Sequence, residues 1–508
     1  MSWLREHAAA LFFLGAYSLI LAWHAWEGRR GTRAVADYYV GGRALGGVAI
    51  GLSFFATYSS TNSFVGFAGQ AYTYGAPWLL LAPAVVLFSF LAWVLVAPRL
   101  RRFTGELGSL TIPDFIGLRF DSTAARVLSA ILVLFASFFY LTAIFKGIGT
   151  TLEAFLDVPY LMAVWIVFAI VMTYTAVGGF LSVVKTDVVQ GLILVVAALL
   201  LLRGTVNAAG GVGAFFDARD VVLPSGRSLF SWNAAMPLPV LLGIVFAGTI
   251  KFMVEPRQLS RFYALRDRRA IRRGVWVSTI AFLVVYSALV PIGVFARTIF
   301  PTGFEDSDRI VPALLTDPAI FHPALGAFML VALVAAAMSS IDSVLLVMAS
   351  TCQRDLVGIV RGARTEAGTI RATAAWVAVF ALVTTLIALD PPGGIVRLTS
   401  FSGSVYAACF FPALVFGLYL RSGNGTAVIA SMTIGLIVLL AWQPLGIAPG
   451  VHEVFPALLL SILTYLAIAV LASPARGEHI ERLFRAREID EGRQEVIAIG
   501  SRTGSDRD

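Results

Sequence analysis

The chain has 508 residues, of which 58% are hydrophobic and 13% charged, with a formal net charge of +8. Soluble domains carry about 25% charged residues. A chain this long cannot cover soluble cores with so few charges, so its apolar surplus must face lipid. This excludes an ordinary soluble enzyme and makes the +8 balance a question of topology.

Thirteen stretches approach the about 20 apolar residues that cross a bilayer as a helix. They are 8–26, 45–72, 77–98, 126–148, 158–179, 184–203, 239–258, 274–297, 323–351, 372–390, 395–420, 425–446 and 453–473. The chain is thus predicted to be an all-α membrane protein with 13 transmembrane helices. The first stretch follows a weak basic region, Arg5 offset by Glu6, and precedes Arg29, Arg30 and Arg33. That order fits an uncleaved helix with its N-terminus outside. With that orientation the inner segments carry 29 of the 38 basic residues and the outer segments 8, Lys251 lying within a stretch. Basic residues gather on the cytoplasmic side, which predicts a multi-pass plasma (inner) membrane protein with a cytoplasmic C-terminus. The tail 474–508 is charged and too short for a catalytic module.

The stretch 45–72 is polar where it should be apolar. Thr57 to Ser63 are hydroxyl residues, Tyr58 and Asn62. Such sequence at mid-membrane depth is tolerated where backbone and hydroxyls line a cavity or bind an ion. The simpler alternative is close helix packing through small residues, which does not require seven polar positions in a row. Asp187, in Lys185-Thr186-Asp187, begins the stretch 184–203. It is a candidate intramembrane acid, or else a helix cap at the positive end of the dipole. Lys251 and Glu255 are four apart and read as a local ion pair, while Gly243 and Gly248 permit a break in 239–258. The stretch 323–351 carries Ser339-Ser340-Ile341-Asp342-Ser343. Ser339 and Ser343 share a helix face, and hydroxyl and carbonyl oxygens suit a hard monovalent cation. Two polar or broken helices in corresponding halves point to a secondary transporter built from inverted repeats.

Cys352 and Cys409 form no metal or disulfide pattern, and the five histidines show no ligand spacing. No His–acid, Cys–His or phosphate-binding constellation points to an enzyme, and nothing points to nucleic acid or an obligate protein partner.

Several pieces occur together in a distinctive order: Asp37-Tyr-Tyr-Val-Gly-Gly-Arg43, Phe55-Ala56 with Phe64-Val-Gly66-Phe-Ala-Gly69, Thr111-Ile-Pro-Asp-Phe-Ile-Gly-Leu-Arg119, Gly178-Gly179 with Thr186-Asp187-Val-Val-Gln190, and Ala335-Ala-Ala-Met-Ser339-Ser340. In these the chain resembles the sodium:solute symporter family from about Asp37 to Leu420. The resemblance implies a leucine-transporter-like core of 5+5 inverted repeats working by alternating access. The predicted divisions are then 1–44, an extra helix and loop; 45–203, the first repeat; 204–420, the second; 421–473, two further helices; and 474–508, the tail. It also implies sodium-coupled uptake of a small organic solute, an amino acid or small carboxylate, with Na+ held by the carbonyls of Ala56, Ser59 and Ala336 and the hydroxyls of Ser339 and Ser340. Asp187, Asp342 and Ser343 form a possible second cation site; alternatively Asp342 carries a proton. Tyr58, Asn62, Tyr140 and Tyr406 frame the solute. Tyr58 stands where the proline branch has an aspartate, and Asn62 where it has a tryptophan, so proline itself is not indicated. A sensor using the same fold and a proton-coupled symporter are the alternatives.

Overall fold

The computed structural model describes residues 7–484 apart from 224, 234, 302, 303, 363, 364, 476, 477 and 479. The predicted tail therefore falls, beyond Phe484, outside the described residues.

Among the described residues the regular structure is helical apart from two isolated β-bridges, Leu45 with Leu265 and Val222 with Ser228. In order the main helices are α1 (Ala8–Gly31), α2 (Gly47–Tyr58), α3 (Phe67–Tyr74), α4 (Ala76–Leu107), α5 (Ile112–Phe120), α6 (Thr123–Leu156), α7 (Tyr160–Met172), α8 (Gly178–Ala208), α9 (Leu238–Ile250), α10 (Pro256–Ala264), α11 (Arg268–Ile299), α12 (Ile310–Thr316), α13 (Pro323–Arg361), α14 (Glu366–Ala388), α15 (Ile395–Phe410), α16 (Pro412–Tyr419), α17 (Gly425–Trp442) and α18 (Val454–Leu471). Polar caps set several of the boundaries. Ser122 accepts from Ala125 N–H at the start of α6, Asp267 from Ala270 N–H at the start of α11, and Asn424 from Ala427 N–H at the start of α17. Each satisfies an amide that the first helical turn leaves open.

Among the described residues ten helices, counting α9 and α10 as one, are long and apolar enough to cross a membrane, and eleven if α15 and α16, bent by 40°, make one span. The predicted stretches 45–72 and 158–179 are not among these ten. The first is interrupted after Tyr58, where Ser59 takes an extended conformation (φ −75°, ψ 96°). The second, α7, is a shorter apolar helix followed by a sharp turn at Gly179 (φ 61°, ψ −170°). That conformation is open only to glycine at low cost, and a Cβ there would also lie 2.6 Å from the Tyr38 ring.

The stretch 239–258 breaks, though not at the predicted glycines. Lys251–Met253 tightens to a 3-10 turn, Glu255 is extended (ψ 124°), and Pro256 opens α10. Proline lacks the N–H that would continue α9 and is well placed at a helix start. Gly243 instead lets His452 approach; a Cβ there would sit 2.1 Å from the His452 side chain.

The breaks lie against an unbroken helix. α2 packs on α8, α11 and α13, and α13 also packs on α6 and α8. Every residue of α13 from Met329 to Leu346 is buried, so its serines and Asp342 face protein on all sides and not lipid.

Candidate ion and solute site

The end of α2 leaves carbonyls without their usual helical donors. Ser60 N–H turns to Ser63 Oγ at 3.3 Å and Asn62 N–H to Ser60 Oγ at 3.2 Å. The Ala56 and Tyr58 carbonyls thereby lose the amides four residues on. Tyr286 of α11 braces the gap, its hydroxyl 2.6 Å from Ser63 Oγ and 3.5 Å from Ser59 Oγ. α13 closes the other side. Ser340 Oγ donates to the Thr57 carbonyl at 3.1 Å, and Tyr140 OH donates to Ser340 Oγ at 3.4 Å. Ala56, Ser59, Ala336, Ser339 and Ser340 are all wholly buried. This region gathers carbonyl and hydroxyl oxygens, two of whose hydroxyls, those of Thr57 and Ser339, also reach the Asp187 carboxylate. Such neutral hard donors suit a dehydrated monovalent cation and hold it loosely enough to release.

Asp187 lies in mid-helix on α8, a turn and more inside its start, so the capping alternative is set aside. Its carboxylate is completely buried and takes four donors. Ser339 Oγ reaches Oδ1 at 2.5 Å; Ser53 Oγ at 2.5 Å, Thr57 Oγ1 at 3.4 Å and Arg261 Nη2 at 2.9 Å reach Oδ2. The same Nη2 donates to Ser343 Oγ at 2.6 Å, and Arg261 Nε to Ser53 Oγ at 3.2 Å. Asp187, Ser339 and Ser343 are thus brought together around the guanidinium of Arg261. Asp342 is buried within electrostatic reach of Arg261 and Tyr17. A cleft lined by Thr111, Ser260, Arg261, Tyr263, Ser343 and Ser350 approaches this group from the α5 end.

The predicted Lys251–Glu255 ion pair does not form. Glu255 pairs with Arg257 Nε: its N–H still bonds the Lys251 carbonyl at 2.7 Å, but Val254 (φ −135°) and Glu255 (ψ 124°) have left the helical conformation that would set the two side chains on one face. Arg257 also donates through Nη1 to the Thr57 carbonyl at 2.6 Å, tying the break of the α9–α10 pair to that of α2. Lys251 Nζ lies 5.1 Å from both the Tyr58 and Tyr140 ring centres, and Arg257 Cζ lies 3.9 Å from that of Tyr140. Tyr58 OH donates to the Gly248 carbonyl at 2.7 Å. Tyr406 stands at the edge of this group: its hydroxyl is engaged with Ser137 at 2.9 Å and Val133 O at 3.3 Å. Asn62 is buried, its Oδ1 close over Gly66 of its own helical run.

Four residues escaped the sequence reading. Arg257 and Arg261 count by position among the inner basic residues, yet each is about 1% exposed. Ser53 and Tyr286 sit in otherwise apolar helices. The signal available for the two arginines was Pro256, which marks a helix restart and hence a short amphipathic piece, Pro256–Ala264, facing the core. The motif Thr111-Ile-Pro-Asp has a structural role. Asp114 and Asp355 pair with Arg126, Arg354 joins Asp114 at 2.7 Å, and Arg119 donates to the Gly417 and Leu420 carbonyls. These contacts pin α5 to the ends of α6, α13 and α16.

The model of the sodium:solute symporter family matches residues 38–435. The osmoregulated proline transporter OpuE of Bacillus subtilis is 29% identical over 485 residues, covering 94% of this chain and 97% of the relative. The sodium/pantothenate symporter of Haemophilus influenzae is 29% identical over 449 residues, covering 85% and 89%. Among solved structures, a sodium-coupled sialic acid symporter in a substrate-bound outward-open state superimposes with a TM-score of 0.78 at 19% identity, covering 93% of this chain and 98% of that one. The family and these relatives are transporters and not enzymes, and the coupling ion of the family is Na+. The chain belongs to the sodium:solute symporter family and takes up a small organic solute across a membrane together with sodium.

Proposed function

We propose that the imported solute is an amino acid or small carboxylate, and that one sodium ion binds where α2 ends against α13. The observation that carries the ion site is the Ser340 hydroxyl bonded to the Thr57 carbonyl at the helix break. Ala56, Ser59 and Ala336 supply carbonyls, and Ser339 and Ser340 supply hydroxyls. Sodium entering from outside ties α2 to α13 and completes the solute pocket framed by Tyr58, Tyr140, Tyr406 and Asn62. Solute then closes the outer side, and sodium leaves inward. A membrane potential adds about 2.3 kcal/mol per charge per 100 mV to that step. The cleft beside Arg261 and Ser343 supports an inner release route from this region.

Asp187, Ser343 and Asp342 make up a second cationic position, and in this reading Arg261 fills it. A second sodium would have to displace a guanidinium held by Asp187, Ser343 and Ser53. The relatives supporting the solute class are named for proline and pantothenate. The reading further takes thirteen spans, with the broken α2–α3 and the short α7 completing the count. The repeats are 45–203 and 204–420, 1–44 and 421–473 are additions, and 474–508 is a tail. The N-terminus lies outside and the C-terminus in the cytoplasm of a plasma membrane. Uptake by proteoliposomes, with and without an inward sodium gradient, tests the reading. Uptake indifferent to sodium would contradict it.

A further inference from the structure

The break between α9 and α10 buries three charged side chains. Lys251, Glu255 and Arg257 are 3%, 2% and 1% exposed. Glu255 and Arg257 neutralise one another, which leaves Lys251 as a surplus positive charge. Its ammonium meets the faces of Tyr58 and Tyr140 but makes no hydrogen bond or ion pair among the described residues. Ring faces attract a cation weakly compared with a carboxylate. Two further atoms of the group are buried without a hydrogen-bond partner: Arg257 Nη2, a donor, and Glu255 Oε2, an acceptor. Buried polar atoms are ordinarily paired, and an exception calls for an explanation. Here the unsatisfied set is a cation, a donor and an acceptor, with Lys251 and Arg257 both over the Tyr140 ring and Glu255 paired to Arg257.

We propose that the solute is a monoanion, a small carboxylate carrying a separate hydroxyl or amide N–H, whose carboxylate is held by Lys251 and Arg257 and whose donor is held by Glu255. This rests on the symporter reading above and narrows its solute class. A zwitterionic amino acid would offer a carboxylate but bring its own cation, leaving the surplus charge of Lys251 in place. A monoanion cancels it. Arg257 also holds the Thr57 carbonyl, so a carboxylate on Arg257 couples solute directly to the helix break beside Ser340.

The test is uptake by the purified full chain in proteoliposomes under a sodium gradient, with labelled 3-hydroxybutyrate, lactate, pantothenate and L-proline, and the uncharged amide of each as competitor. The expected result is sodium-driven uptake of one or more of the three hydroxylated monocarboxylates in preference to proline, the matching amide competing about tenfold more weakly or worse. Lys251→Gln should raise the KM for the anion about tenfold and bring anion and amide close to parity, with kcat and sodium half-saturation within about twofold. Lys251→Arg should restore the preference for the anion, which a merely damaged fold would not do. Sodium-driven uptake that favours proline, or a KM untouched by Lys251→Gln, overturns the anion proposal and leaves the symporter standing. Anion uptake sensitive to Lys251 but indifferent to sodium sinks the coupling and keeps the anion site. No uptake of any anion in the panel also overturns the proposal.

Discussion

Removing the carboxylate charge of Asp187 should unsettle the protein more than almost any other single change, and removing its partner as well should largely repair the damage. Asp187 Oδ2 and Arg261 Nη2 are 2.9 Å apart and both side chains are essentially inaccessible to solvent. With an effective dielectric constant of about 20, their attraction is about 6 kcal/mol. Desolvating the two ions costs several kcal/mol each, so the intact pair is close to neutral in net stability, whereas losing one partner strands the other charge at a cost of about 3–5 kcal/mol. Asp187→Asn strands Arg261. It also gives Ser339 Oγ an amide in place of a carboxylate oxygen, although Ser53 and Ser343 continue to hold the guanidinium. Arg261→Gln strands Asp187, softened by the Ser53, Thr57 and Ser339 hydroxyls. The double variant strands neither. Thermal and denaturant unfolding in detergent, read as a double-mutant cycle, should give single losses of about 3–5 kcal/mol and a double loss well below their sum. The sodium dependence of uptake gives an independent reading: in the wild type it should be hyperbolic, because Arg261 fills the second position. Additive losses in the cycle would refute the buried pair. Sigmoidal sodium dependence in the wild type that becomes hyperbolic in Asp187→Asn would show that Asp187 holds a second ion.

Ser340→Ala removes a hydroxyl from the break and from the Thr57 carbonyl, and should raise the sodium half-saturation of uptake about five- to tenfold, equivalent to about 1–1.4 kcal/mol; unchanged sodium activation would place the ion elsewhere. Gly403→Ala pushes a Cβ to 2.2 Å from the Ala247 carbonyl, where α15 crosses α9, and should cost about 1–3 kcal/mol in unfolding experiments. Arg119→Met leaves the Gly417 and Leu420 carbonyls of the α16 end without their donors, and about 2–3 kcal/mol should be lost, since bonds to a charged donor are the stronger kind. The fourth concerns pH at Asp308, in the loop before α12. Burial holds its carboxyl above the ordinary range, although Lys146 Nζ at 2.9 Å and the Ile395 N–H at 3.1 Å pull the other way. A folded value above the unfolded one means that the folded state binds more protons. The contribution of Asp308 is therefore complete below the unfolded value near 3.8 and is lost as pH rises through the folded value. Asp308→Asn should flatten that part of the stability profile; an unaltered slope between variant and wild type would count against it.

The membrane class and most of the spans were legible from hydropathy alone, because a helix crossing lipid must satisfy its backbone internally and cover itself with apolar side chains. The same logic made Thr57–Ser63 and Ser339–Ser343 stand out, since polar runs at that depth have to face something other than lipid. The 13% of charged residues was legible only in part. The bias of basic residues toward the cytoplasm sorts arginines by side of the membrane, and Arg257 and Arg261 escape that sorting because Pro256 starts a short amphipathic helix that folds back into the core. Lys251 and Glu255 looked paired because i,i+4 spacing implies contact in a continuous helix, and the helix is not continuous there. Which charges meet, Asp187 with Arg261 across 74 positions and Arg257 with the Thr57 carbonyl across 200, was decided by tertiary structure alone. Helical periodicity reports which face a residue occupies, but the partner on the opposite face comes from another helix, and nothing local in the sequence encodes it.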